Sequence, residues 1–145
     1  MASMTRSEAR ETVFCLLFET EFHRDRDPQE IYALAAEVRE FEQVCKKQES
    51  YIRGAYFGVR EKLEELDARI AKHSKGWRPD RIAPVSRSIL RLCIFEMLYL
   101  DDVPLTVALN EAIELAKKFD EEKAKALVNG ILNSVKTEIE KERAE

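Results

Sequence analysis

The side chains able to do acid–base, nucleophilic or metal chemistry are few in this chain and badly spaced for it. His23 and His73, its two histidines, both fall near the ends of expected helices. Neither has a carboxylate and a nucleophile beside it, as a catalytic arrangement requires, so each reads as a helix-terminus residue. Glu111 and Glu114 share the polar side of NEAIELAKK, but no histidine accompanies them at metal-ligand spacing. A solvated or salt-bridging helix face is the reading for them. The three cysteines, Cys15, Cys45 and Cys93, are far apart and odd in number, which points to neither a disulfide framework nor a zinc knuckle. Cys15 and Cys93 sit in apolar runs and read as small core residues. None of the four glycines makes a phosphate-cradling loop after a strand. The expectation is no catalytic residue, no metal and no cofactor.

What remains is charge. The net charge of −4 speaks against a polyanionic partner, yet charges are screened over about 8 Å at physiological salt, so a phosphate responds to the local patch. Acidic residues gather at Glu37, Glu40 and Glu42, at Glu61, Glu64, Glu65 and Asp67, and at Glu138, Glu140, Glu142 and Glu145. Basic residues gather in three other places: Arg6 with Arg10; Arg78, Arg81, Arg87 and Arg91; and Lys117, Lys118, Lys123 and Lys125. Convergence of these three groups would give an acidic protein a basic face. Arginine suits phosphate because its planar fork donates two hydrogen bonds at once. Arg6 and Arg10, four apart at the start of a helix, are expected on one polar stripe at the end that favours anions. On residue types alone such a pair is more often an ordinary solvated stripe, so reversing both charges is expected to leave stability nearly unchanged and to weaken the hold on any phosphate backbone bound there.

The elements that position these groups are all helices. With 145 residues, 45% of them apolar and 36% charged, the chain suits one globular helical domain. No apolar run reaches the roughly 18 residues of a membrane span and no apolar signal region opens the chain, so no membrane role and a cytoplasmic location are expected. The centre is residues 89–100, apolar except for Arg91 and Glu96. A helix apolar on nearly all sides must be surrounded by others. Asp101, Asp102 and Pro104 stop it, and Ala108, Ala112, Leu115, Ala116 and Phe119 then make one stripe of the next helix.

Earlier, Thr5-Arg6-Ser7-Glu8 is a capping box that starts the first helix. Asp27-Pro28 starts a second, with Ile31, Leu34, Ala35, Val38 and Phe41 as its buried face. A third is expected unbroken from about Lys47 to His73, where Gly54 and Gly58 would let two helix backbones approach. Ser74-Lys75-Gly76 ends it, Trp77-Arg78-Pro79-Asp80 crosses over, and a short helical turn fits before Pro84. The last helix carries Asn129 and Gly130 in mid-pattern, where glycine costs roughly 1 kcal/mol relative to alanine and marks a close helix approach or a contact site. Its charged tail is expected to fray.

Three stretches in order, SRSILRLCIFEMLYLDDVP, VALNEAIELAKKF and LVNGIL, resemble the NusB family of transcription antitermination factors, in register from about Thr5 to Val135. The resemblance implies an all-α, single-domain helical bundle of about seven helices in two packed subbundles, with residues 1–145 as one RNA-binding domain. It implies binding of boxA-like single-stranded RNA from ribosomal RNA leader transcripts together with the ribosomal protein NusE, to assemble an antitermination complex on RNA polymerase. TRSEARE resembles the arginine-bearing start at which members contact RNA, which gives Arg6 and Arg10 that role, though the stretch is poorer in arginine than many relatives. The LAKKF and LVNG segments transfer a base-contacting role to Phe119, Leu127 and Asn129, with Lys117, Lys118, Lys123 and Lys125 supplying phosphate contacts beside them. Leu127 departs from the family's usual phenylalanine and removes a stacking platform worth roughly 1–3 kcal/mol per base. The surface for NusE falls at Arg81, Ser86 and Arg87, and Ser86 stands where many relatives carry an acid.

Three alternatives stay open at this point. One is a protein-only helical adaptor that has lost RNA binding, favoured by the sparse amino-terminal arginines and by Leu127. Another is a homodimer that hides the basic face. The third is an enzyme fragment, since some ribosomal RNA methyltransferases carry a similar amino-terminal module. No Gly-rich cofactor segment follows here, and no binding of S-adenosylmethionine is expected.

Overall fold

The computed structural model describes residues 3–76 and 78–145; Trp77, expected in the crossing segment, lies outside them. Among these residues there are seven α-helices, two short 3-10 turns and no strand. The chain divides into two compact units, one through Glu61 and one from Lys62 to Glu145.

The first unit holds α1 (Arg6–Glu21), α2 (Pro28–Val38) and α3 (Lys46–Glu61), with a 3-10 turn at Phe41–Gln43. The capping box is present: the Glu8 amide donates to Thr5 Oγ1 at 3.0 Å and the Thr5 amide to Glu8 Oε1 at 2.9 Å. Asp27 caps α2, accepting from the Gln29 amide at 2.9 Å, with Pro28 at the first helical position. α1 packs on α3 and α2. Its Thr20 hydroxyl donates to the Leu16 carbonyl at 2.7 Å, which leaves its oxygen to accept from the Tyr56 hydroxyl, also at 2.7 Å. Burial pushes the pKa of Tyr56 up, because a phenolate there would lose its water.

The buried face of α2 differs from the one expected. Leu34 and Val38 are 54% and 72% exposed, while Tyr32 is buried. The reason is aromatic packing: Tyr32 sits 5.1–5.9 Å, centroid to centroid, from the rings of Phe41, Tyr56 and Phe57. Turning that ring inward rotates Leu34 and Val38 out, and Phe41 joins the core from the 3-10 turn rather than from α2. The left-handed backbone of Glu40, φ 54°, allows the change of direction.

The second unit holds α4 (Leu63–His73), α5 (Pro84–Tyr99), α6 (Leu105–Phe119) and α7 (Glu122–Ala144), with a 3-10 turn at Pro79–Arg81. α5 packs against α4, α6 and α7, and residues 86–97 are buried without interruption, as its apolar run requires. The expected third helix is two: it breaks at Lys62, between α3 and α4. The apolar spacing Val59, Leu63, Leu66, Ile70 runs straight across the break, so periodicity conceals it.

The acidic tail does not fray. α7 stays helical to Ala144. Arg69 on α4 donates to Glu138 at 2.6 Å and to Glu142 at 3.0 Å, and Lys72 also pairs with Glu138. His73 lies with Nε2 3.0 Å from Glu138 and Nδ1 2.7 Å from the Ser134 hydroxyl. Lys72, His73 and Arg69 together hold the Glu138 carboxyl at about 2, against the desolvation that would raise it. Further on, Arg143 donates to the Met97 carbonyl at 2.7 Å, satisfying one of the acceptors that the end of α5 leaves open.

Candidate nucleic-acid interface

In the first unit Arg6 and Arg10 both lie over the ring of Tyr51, Arg6 at 4.2 Å and Arg10 at 5.6 Å from its centroid. Arg6 Nε donates to Gln48 Oε1 at 2.8 Å and the side chain is half-buried. Arg10 is only 4% exposed. The polar stripe expected here is therefore a packed one. Positions 6, 10, 13 and 17 share one helix face, and Val13 and Leu17 on it are core residues. The Tyr51 ring lies against both guanidiniums, and the Gln48 oxygen replaces part of the water that Arg6 gives up. Arg6 keeps an open side at the first turn of α1, where the helix dipole favours an anion. Arg10 positions Tyr51 beneath it. Tyr51 and Gln48 belong to this cluster and were not singled out from the sequence; the apolar phase of the arginines was the available signal.

In the second unit the α6–α7 junction carries the other candidates. Lys117 and Lys118 occupy the last turn of α6, and Phe119, 37% exposed, ends it with Lys118 Nζ 5.4 Å from its ring centre. Lys123 and Asn129 are exposed on α7, while Lys125 and Leu127 are half-buried. Two cations are partly neutralised, Lys117 by Glu114 at 3.4 Å and Lys125 by Glu122 at 2.9 Å. The Glu122 carboxyl is held below its ordinary range by Lys125. Asn129, which is exposed, accepts from Asn133 Nδ2 through both its side-chain and main-chain oxygens, each at 2.9 Å. A Cβ built on Gly130 meets nothing within 4 Å. Gly130 is thus not required for packing inside the chain, and the same holds for Gly54. The junction exposes an aromatic ring, lysines, an amide and a bare stretch of backbone, residue types suited to stacking a base and holding its phosphate.

The segment assigned to a protein partner is partly covered. Arg81 is exposed, but Ser86 and Arg87 are 1% and 5% exposed. Ser86 donates to Asp120 Oδ2 at 2.6 Å and Arg87 to the Ile82 carbonyl at 2.9 Å. Through these bonds Ser86 ties the start of α5 to the α6–α7 junction, and Arg87 holds to the segment leading into α5. Arg91, grouped with these cations by sequence, is engaged by Asp67 through two bonds of 2.8 Å and is 8% exposed. Among the described residues no cluster of metal-ligating side chains occurs, and no helix is long and apolar enough to cross a membrane.

The model of the NusB family matches residues 7–137 of this sequence. The chain belongs to the NusB family. Relatives in it include the transcription antitermination protein NusB of Ruminiclostridium cellulolyticum, 44% identical over 91% of this chain and 88% of its own length. NusB of Bacillus licheniformis is 38% identical over 94% of this chain and all of its own. Among solved structures, NusB of T. maritima superposes with a TM-score of 0.84 at 34% identity, over 94% of both chains. A chain from the crystal structure of antitermination factors NusB and NusE in complex with dsRNA superposes with a TM-score of 0.80 at 28% identity, covering 92% of this chain and 96% of that one. NusB membership and the all-helical fold thus agree with the resemblance read from the three motifs.

Proposed function

We propose that this protein is a transcription antitermination factor that binds boxA-like RNA of ribosomal RNA leader transcripts with NusE, and so helps assemble an antitermination complex on RNA polymerase. It acts over residues 1–145 as one RNA-binding domain in the cytoplasm and makes or breaks no bond. The observation that carries the reading is the likeness, over most of both chains, to a NusB solved together with NusE and RNA. That likeness favours RNA carriage over the protein-only adaptor.

In this reading Arg6 and the α6–α7 strip of Lys117, Lys118, Phe119, Lys123, Lys125, Leu127 and Asn129 meet the RNA. Arg10 acts from beneath as a support. Arg81 meets NusE, with Ser86 and Arg87 holding the segment behind it.

Titration of labelled boxA RNA, with and without NusE, tests the proposal. Neutralising four phosphates makes the logarithm of affinity fall against the logarithm of salt with a slope of about −3, at roughly −0.7 per contact. Absent or salt-independent binding would overturn it.

A further inference from the structure

Between α4 and α5 the second unit has a cleft of about 460 Å³, lined among the described residues by Lys75, Gly76, Arg78 and Arg81. All four are exposed. Asp80 lies 3.5 Å from Arg78 Nε, with the two side chains 71% and 67% exposed. So open a pair neutralises little. On a chain of net charge −4, three cations around one cleft is a local reversal of sign.

The backbone adds a second observation. Lys75 has φ 51° and Gly76 φ 93°. Glycine takes such a conformation easily, and Lys75 takes it against steric resistance from its Cβ. Folding alone would be better served by glycine at position 75; the lysine instead adds a cationic side chain to the lining of the cleft. The carbonyl end of α4 faces this loop and opposes an anion, but that effect is confined to the last turn and is outweighed by three full charges.

We infer that the Lys75–Arg78–Arg81 cleft is a phosphate-binding site that holds a backbone phosphate of the RNA. The inference rests on the RNA-carrying function proposed above and extends the contact surface beyond it. Continuity supports this: Arg81 lies five residues before Ser86, whose hydroxyl is bonded to Asp120 at the α6–α7 junction.

The test uses Lys75→Gly and Arg78→Gln, alone and together, and leaves Arg81 intact so that loss of a protein partner does not mimic loss of RNA. Lys75→Gly should keep or raise the thermal midpoint, which excludes misfolding as the cause of any loss. Titrated with boxA RNA carrying several flanking nucleotides, each variant should bind about threefold or more weakly, and the double variant should have a salt slope shallower by about 0.7. Unchanged affinity and slope in variants of a protein that binds RNA would overturn the inference alone. No RNA binding by the unaltered protein would overturn the function proposed above and the inference with it. A parallel titration with inorganic phosphate separates sources. Amide shifts at Lys75 and Gly76 with no change in RNA affinity would mean a free-anion site and would overturn the RNA assignment.

Discussion

An arginine lying against a tyrosine ring, 4% exposed, answers to mutation differently from one in water. Arg10→Glu puts a carboxylate where it has little solvent and an electron-rich ring face beside it, and should lower stability by about 2 kcal/mol or more in denaturant unfolding. Arg6→Glu, half-buried with one side open, should cost about 0.5–1 kcal/mol while weakening RNA binding several-fold. Equal losses of stability in the two variants would show that the depth difference has no energetic meaning. The near-neutral double reversal expected from sequence is therefore replaced by an unequal pair. The residue types were legible in the sequence, because arginine at a helix start is visible as text. Their depth was not, since it depends on Tyr51 and Gln48, about forty positions away. Ser86 carries the same lesson: its hydroxyl is spent on Asp120, a partner no local pattern names.

At the scale of elements, α7 carries a glycine in mid-helix with open space around it. Gly130→Ala should therefore stabilise the protein by about 1 kcal/mol, the ordinary helix-propensity difference, since the added methyl meets no neighbour. The same methyl stands on the strip proposed for RNA, and boxA affinity should fall as the melting temperature rises. A variant that gains stability without losing affinity would remove Gly130 from the contact surface. Most helices were legible from caps and apolar spacing, as Thr5–Glu8, Asp27–Pro28 and the run at 89–100 show. The break at Lys62 was hidden because the apolar phase continues through it, and the rotation of α2 was hidden because four aromatic rings decide it, not the periodicity of its own residues.

For the whole molecule, stability against acid should depend on Glu138. Its folded-state pKa, about 2, is below the ordinary glutamate value of about 4.3. A depressed carboxylate contributes stability that is full above the ordinary value and is lost as pH falls from about 4 towards 2. Glu138→Gln should therefore be less stable than the parent at neutral pH by about 1 kcal/mol, and in thermal melts the gap should narrow as pH falls below about 4 and close only below about pH 2. A gap independent of pH would mean that packing, not charge, is what Glu138 supplies. The family and the all-helical architecture were legible from three motifs in order, whereas the pairing of α4 with the acidic end of α7 was not, because a run of charges reads as solvated until its partners are known. That pairing has a practical outcome. Amide hydrogens over residues 138–143 should exchange slowly, since Arg143 is moored to the Met97 carbonyl and Glu138 and Glu142 are anchored to Arg69 and Lys72. In Arg69→Ala the same amides should lose protection first, which would mark where the clasp is held.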